Sequence, residues 1–156
     1  MNERELTALF RKLGARDPAT WARSQINENS PQLARFLFLR QAWKLLVNDN
    51  DSSWIPEMCQ VNSNKPGGDV GPAITRLLAA GGQEDDLTKI VRVMQWRLLS
   101  GLCQLLDDPG NIESEAGDIA WRLFQVDEGD HPIAVMGGLV ESVLETDPTG
   151  REMRPT

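Results

Sequence analysis

The sequence has little of what metal and thiol chemistry requires. Its 156 residues include one histidine, two cysteines and no tyrosine. Zinc and other transition-metal sites need clusters of His or Cys, so we predict no metal site of this kind and no cofactor. Cys59 and Cys103 both have apolar neighbours in the sequence, and we expect two buried, unpaired thiols in a cytoplasmic protein.

Long apolar runs are also absent. The most apolar stretch, FLFLRQAWKLLV, begins at Phe36 and contains Arg40 and Lys44. It is too short and too charged to cross a bilayer. The first ten residues, MNERELTALF, carry charges and spaced apolar positions, so they do not have the pattern of a secretory signal. We therefore expect a soluble protein without a membrane span.

Basic residues are scarce in the last third of the chain. Residues 101–156 hold three Lys/Arg against twelve Asp/Glu, whereas residues 1–50 hold eight against five. The net charge of −7 argues against nucleic-acid binding. An asymmetry of this kind is typical of a solvated face or of a surface that binds a partner.

The periodicity of apolar residues predicts a mainly α-helical chain. Asn2 and Glu5 form a capping-box pattern, and Pro18 and Pro31 each follow a capping residue at a predicted helix start. We expect a single domain over residues 1–156, a helical bundle around a long central helix at about 84–106. A small β-hairpin is predicted near 120–136, from two extended runs around a Gly-containing turn, and a surface tail at 149–156.

The long helix has a wide apolar face. Its main stripe is predicted to lie in the core and comprises Leu87, Ile90, Val91, Met94, Leu98, Leu102 and Leu105. A second stripe comprises Trp96, Leu99, Cys103 and Leu106. Gly101 costs the helix about 1 kcal/mol relative to Ala, so we expect another element to pack closely against it.

The strongest functional signal is the segment LLDDPGNIESEAGD. Its carboxylates fall within twelve positions and are Asp107, Asp108, Glu113, Glu115 and Asp118. No frame in the chain has the oxygen ligands, glycine and final Glu of an EF-hand. The first two carboxylates oppose the dipole at the end of the long helix. An internal Arg, water, or a ligand such as a metal or a partner would compensate them, and we favour the Arg.

These features predict a binding protein rather than an enzyme. The candidate surface recognises a basic protein partner, as small acidic immunity and inhibitor proteins do, and the resemblance is one of general character only. It consists of Asp107, Asp108, Glu113, Glu115, Asp118, Trp121, Asp127, Glu128 and Asp130. Two alternatives stay open. One is an enzyme or a small-ligand or metal-binding protein that uses carboxylates in a pocket between helices and hairpin. The other is a homo-oligomeric structural protein.

Overall fold

A computed structural model describes residues 1–108, 117 and 119–155. Within these residues the elements follow in the order α1 (Glu3–Lys12), α2 (Pro18–Glu28), α3 (Gln32–Trp43), α4 (Trp54–Cys59), α5 (Val70–Ala79), α6 (Glu84–Asp107), β1 (Phe124–Val126), β2 (Pro132–Val135) and α7 (Leu139–Ser142). The prediction of a mainly helical chain with one long helix and a small hairpin is confirmed.

The described residues divide into two compact units. Unit 1 comprises Met1–Lys44 and Leu98–Thr156, and unit 2 comprises Leu45–Arg97. Helix α6 begins in unit 2 and ends in unit 1. The prediction of a single domain stays a prediction.

Local capping explains where the first helices begin. The Asn2 side chain accepts a hydrogen bond from the Glu5 amide at 3.0 Å, and the Glu5 side chain accepts one from the Asn2 amide at 2.9 Å. Asp17 caps α2 through the Thr20 amide at 3.1 Å. Helix α3 has no side-chain cap, because its N-cap residue is Pro31, whose side chain has no acceptor, and the preceding Ser30 hydroxyl accepts from the Gln32 side chain at 2.9 Å.

Helix α3 ends at Trp43, although the apolar stretch that begins at Phe36 continues to Val47. The Val47 amide donates to the Gln95 side chain at 2.8 Å, and the Val47 carbonyl accepts from Arg92 at 2.6 Å. These tertiary hydrogen bonds within unit 2 replace the backbone bonds that would have continued the helix.

An aromatic cluster forms the core of unit 1. Phe10, Trp21 and Phe36 bring α1, α2 and α3 together, with ring centroids 5.2–5.8 Å apart. Leu6 and Ala22 complete this cluster. Farther along α3, the buried Trp43 donates its indole N–H to the Val143 carbonyl at 2.9 Å, which ties α3 to the segment after α7.

Unit 2 is built on α4, α5 and the first part of α6. Ile55 and Ile74 are buried in it. The Trp54 indole N–H donates to the Thr88 hydroxyl at 2.9 Å, which links α4 to α6. Gly71 lets α5 approach α4 closely, since a Cβ there would lie 2.8 Å from the Cys59 Cα.

The apolar face of α6 differs from the predicted one. The main predicted stripe is largely exposed, at Ile90, Met94, Leu98, Leu102 and Leu105. The second stripe supplies the buried Leu99 and Cys103, and Arg92 and Thr88, about two and three turns before Leu99, are also buried. Periodicity predicts the helix, but two stripes compete for burial and tertiary packing selects between them. The packing expected at Gly101 is not found among the described residues, none of which lies within 4 Å of a Cβ placed there.

The hairpin is antiparallel and irregular. Phe124 pairs with Val135, Gln125 with Ala134, and Val126 with Pro132. The register shifts between the last two pairs, so Ile133 is an extra residue in β2. Gly138, at φ +73°, then begins α7.

The final residues are held by one carboxylate. Asp147 is buried, and it accepts hydrogen bonds from the Thr149 amide, the Thr149 hydroxyl and the Met153 amide at 2.8–3.0 Å. Glu152 pairs with Arg16 at 2.8 Å. These contacts connect residues 149–153 to the rest of unit 1, and the surface tail at 149–156 stays a prediction.

Candidate functional site

The acidic segment after α6 is described only at its start. Glu113, Glu115 and Asp118 lie outside the described residues. Asp108 is exposed. Asp107 is half-buried, and its Oδ2 accepts a hydrogen bond from the Val140 amide in α7 at 2.8 Å. Asp107 therefore joins the end of α6 to the start of α7, which is a structural role.

The Arg expected to compensate Asp107 makes no direct pair with it. Among the described residues, Asp107 Oδ1 is buried without a hydrogen-bond partner, and no described Arg lies within 4.0 Å of this carboxylate. Arg35 is near enough to feel its charge: burial lowers the pKa of Arg35, while the charges of Glu141 and then Asp107 oppose that shift. The carboxylate is compensated chiefly by a backbone N–H at a helix start.

The hairpin turn presents three carboxylates with different roles. Asp127 accepts hydrogen bonds from the Gly129 amide at 2.8 Å and the His131 amide at 3.0 Å. The hydrogen bonds from His131 and Gly129 hold the pKa of Asp127 below its usual value. Glu128 and Asp130 are exposed, and their side chains bond no other described residue. His131 is an exposed turn residue, with its ring beside Asp127.

One face of the hairpin exposes apolar side chains to solvent. The exposed residues are Phe124 at 41%, Val126 at 45%, Ile133 at 59% and Val135 at 47%. Side chains alternate across a strand, so Gln125 and Ala134 lie on the opposite face, where both are half-buried. The bulge keeps Ile133 on the side of Val135. We call these four residues with Glu128 and Asp130 the hairpin surface.

Trp121 lies just before the hairpin and is 43% exposed. Its indole N–H donates to the Leu105 carbonyl in the last turn of α6 at 2.7 Å. The hydrogen bond satisfies a carbonyl that has no partner within the helix. It also fixes the ring, so the exposed part of Trp121 is presented in one orientation.

Sequence reasoning missed a second site, a cleft around Arg35. It lies between α2, α3 and the start of α7 and has a volume of about 370 Å³. Its lining comprises Ser24, Glu28, Ser30, Pro31, Gln32, Arg35, Val135, Gly137, Gly138 and Glu141. The one available signal was a cation, Arg35, within the apolar sequence of α3.

Hydrogen bonds hold the Arg35 guanidinium in the cleft. Nη1 donates to the Gly137 carbonyl at 2.7 Å, and Nη2 donates to the Gln32 side-chain oxygen. The buried Gln32 amide in turn donates to the Ser24 and Ser30 hydroxyls at 2.6 and 2.9 Å. The guanidinium also lies 5.4 Å from the Trp21 ring centroid, within cation–π range.

The two cysteines differ in environment. Cys103 is fully buried, and burial together with the charge of Asp107 raises its pKa to about 11. Cys59 is exposed, contrary to the predicted burial. In the described part of the chain no three metal-ligating side chains come together. None of the helices described there is long and apolar enough to cross a membrane.

Comparison with known proteins adds nothing to this picture. No family model, curated protein or solved structure matches the chain. The function therefore has to be argued from the hairpin surface and the Arg35 cleft themselves.

Proposed function

We propose that this protein binds a basic protein partner through the hairpin surface. The observation that carries the proposal is the exposure of four apolar side chains on one face of a two-stranded sheet, beside two carboxylates that have no described partner. Contiguous exposed apolar surface rimmed by charge is typical of interaction sites. The proposed role is therefore that of a small acidic immunity or inhibitor protein, which would recognise its partner through this surface.

The two chemistries of the hairpin surface have separate roles. On binding, the four apolar side chains of the hairpin surface would lose their contact with water; these are Phe124, Val126, Ile133 and Val135. Each Å² of apolar surface that the partner covers would stabilise the complex by roughly 25 cal/mol. Glu128 and Asp130 would steer a basic partner and fix its orientation, an effect that weakens with salt. A partner with apolar residues framed by Lys or Arg is the complementary surface.

The other predicted residues have different places in the proposal. Trp121 adds a pre-oriented aromatic anchor near the base of the hairpin. Asp127 holds the turn and Asp107 joins α6 to α7, so both support the surface rather than contact the partner. Asp108, Glu113, Glu115 and Asp118 remain candidate contacts. A cytoplasmic location is part of the proposal and is supported by the two free cysteines.

The rival functions make distinct predictions. A homo-oligomer would have a mass in solution above that of one chain, and size-exclusion chromatography with light scattering would measure it. Nucleic-acid binding is disfavoured by the charge of the hairpin surface, which would repel phosphates. A small-ligand protein would bind its ligand in the Arg35 cleft, and calorimetry with small molecules would detect it.

The test is affinity capture from a lysate of the source organism, with two hairpin variants. One variant carries Glu128→Gln and Asp130→Asn, and the other carries Phe124→Ser and Ile133→Ser. Asn tolerates the left-handed backbone of Asp130, at φ +62°. Control variants, Leu77→Ser and Glu84→Gln, change one exposed apolar residue and one exposed carboxylate elsewhere.

The expected result is a stoichiometric partner with a basic surface, retained by the controls and lost by the Phe124/Ile133 variant. The carboxylate variant should bind more slowly and with less dependence on salt, measured with the purified partner. Equal capture by the wild type and both hairpin variants, an acidic partner, or no partner at all would each overturn the proposal.

A further inference from the structure

The Arg35 cleft contains charges of both signs that do not neutralise one another by contact. Arg35 lies in its wall with Glu28 and Glu141. No described residue forms a hydrogen bond or ion pair with either Glu side chain, and neither comes within 4.0 Å of the guanidinium. Oppositely charged groups that line one cleft without pairing can each bind a complementary charge of a ligand placed between them.

Arg35 retains hydrogen-bonding capacity toward the cleft. A guanidinium has five N–H groups, and described residues accept from one on Nη1 and one on Nη2. The Nε–H is buried and unpaired among the described residues. One N–H remains on each terminal nitrogen, so both nitrogens can still donate to a ligand's carboxylate.

The guanidinium is held in place before any ligand arrives. Gln32 connects it to Ser24 and Ser30, and the Gly137 carbonyl fixes its other end. Gly138 has to be glycine, because its φ is +73° and a Cβ would overlap Arg35 Nη1. Such preorganisation lowers the entropic cost of binding.

Glu141 completes the opposite side of the cleft. Its Oε2 lies 3.5 Å from the position that a Cβ on Gly138 would occupy, and Arg35 Nη1 borders the same position. The Glu141 carboxylate, which can bind a cation, and the Arg35 guanidinium, which can bind an anion, therefore lie on either side of Gly138. They are farther apart than the two groups of a direct ion pair. Glu28 adds a second acceptor, and the Ser24 and Ser30 hydroxyls keep their own protons to donate.

We propose that the Arg35 cleft binds a free α-amino acid, with the ligand's carboxylate on Arg35 and its ammonium group on Glu141 and Glu28. A purely anionic ligand would be repelled by the two glutamates, and a purely cationic one by the guanidinium. A zwitterion whose charges are one carbon apart satisfies both. A volume of about 370 Å³ is at the small end of the range for small-molecule sites.

This inference does not depend on the hairpin surface as a docking site. Glu128 and Asp130 are absent from the lining of the cleft, so the Glu128→Gln, Asp130→Asn variant should bind amino acids as the wild type does. The two proposals can therefore fail separately.

The test is isothermal titration calorimetry of the whole chain with a panel of L-amino acids, followed by analogues of the tightest binder. The N-acetyl derivative lacks the ammonium charge and the amide derivative lacks the carboxylate. We expect each analogue to bind at least about tenfold more weakly than the amino acid, since each loses one charged hydrogen-bonded contact. A dipeptide ending in the same residue separates a free amino acid from a peptide terminus.

Two variants assign the contacts. Glu141→Gln should weaken binding of the amino acid and of its amide derivative, which keeps the ammonium group, while leaving that of the N-acetyl derivative unchanged. Arg35→Lys keeps the charge but loses the guanidinium, whose two terminal nitrogens can both donate to the carboxylate. It should therefore weaken binding of both the amino acid and its N-acetyl derivative. Because Glu141 is exposed, its variant should fold even if Arg35→Lys does not. The proposal is overturned if no amino acid binds in the millimolar range, if the analogues or the dipeptide bind equally well, or if Glu141→Gln has no effect.

Discussion

Replacing Asp107 by Ala should loosen the connection between α6 and α7. The substitution removes the acceptor of the Val140 N–H, a hydrogen bond of 2.8 Å between a carboxylate and a partly buried amide. A hydrogen bond to a charged group contributes roughly 1.5–3 kcal/mol. Against this, the carboxylate opposes the dipole at the end of α6, at a cost of about 0.3–1 kcal/mol.

The net loss expected for Asp107→Ala is therefore about 1–2 kcal/mol in the free energy of unfolding. For a chain of this size that corresponds to a decrease in Tm of about 2–8 °C. Asp107→Asn keeps an oxygen in position to accept from Val140 and removes the charge. We expect its free energy of unfolding to lie within about 1 kcal/mol of the wild-type value.

Urea titration followed by tryptophan fluorescence measures these differences. Glu128→Ala is the matched control, because that carboxylate is exposed and bonds no other described residue, and surface changes of this kind stay within about 0.5 kcal/mol. If Asp107→Ala were as stable as Glu128→Ala, Asp107 would not hold α7. If Asp107→Asn were as damaging as Asp107→Ala, the charge and not the hydrogen bond would be responsible.

Three further predictions concern packing and thiol chemistry. Gly101→Ala should stabilise the protein by up to about 1 kcal/mol in chemical denaturation, because a Cβ there meets none of the residues that the structure describes; a destabilised variant would mean that something packs on this face. Phe10→Ala should cost about 3–5 kcal/mol by the same measurement, since the ring is fully buried against Trp21 and Phe36, whereas Ala8→Ser on the exposed side of α1 should be nearly neutral. A thiol reagent near neutral pH should modify Cys59 rapidly and Cys103 only on unfolding. The raised pKa of Cys103 contributes stability below the usual thiol pKa, and this is lost as pH rises through about 11. When the free energy of unfolding is measured at increasing alkaline pH, the Cys103→Ala variant should not show the loss of stability that the Cys103 thiol causes.

Local sequence signals account for what could be predicted of the fold. The Asn2–Glu5 capping box involves residues three apart and folds as the pattern indicates. Helix α6 follows from apolar residues at three- and four-residue spacing. The hairpin follows from two extended runs around a turn, although β1 covers only Phe124–Val126 of the predicted range 120–136. In each case the interactions that determine the element are close in sequence.

The features that could not be predicted depend on contacts between distant residues. Which stripe of α6 is buried was predicted wrongly, because both stripes have helical spacing and only tertiary packing distinguishes them. The partner of Asp107 is an amide 33 residues farther along the chain. A pattern of charges in sequence cannot reveal that this carboxylate faces inward.

The Arg35 cleft shows the same limit for the functional site. Its charged groups come from α2, α3 and α7, and Glu28 and Glu141 carry no local motif. Burial of the guanidinium depends on the Gly137–Gly138 segment. The sequence of this segment indicates only that a secondary-structure element ends there. By contrast, the carboxylates of the hairpin turn were found from sequence, because Asp127, Glu128 and Asp130 are adjacent residues in a turn.

The irregular register of the hairpin has a consequence for solubility. Open strand edges that carry apolar side chains tend to recruit further strands and to nucleate aggregates. Here the strands have only three and four residues, Pro132 lacks an N–H to offer, and the extra residue Ile133 interrupts the ladder. Repulsion between the carboxylates of two turns further opposes side-by-side addition of a second hairpin. The short strands and the interrupted ladder of the hairpin therefore oppose polymerisation through its exposed apolar surface.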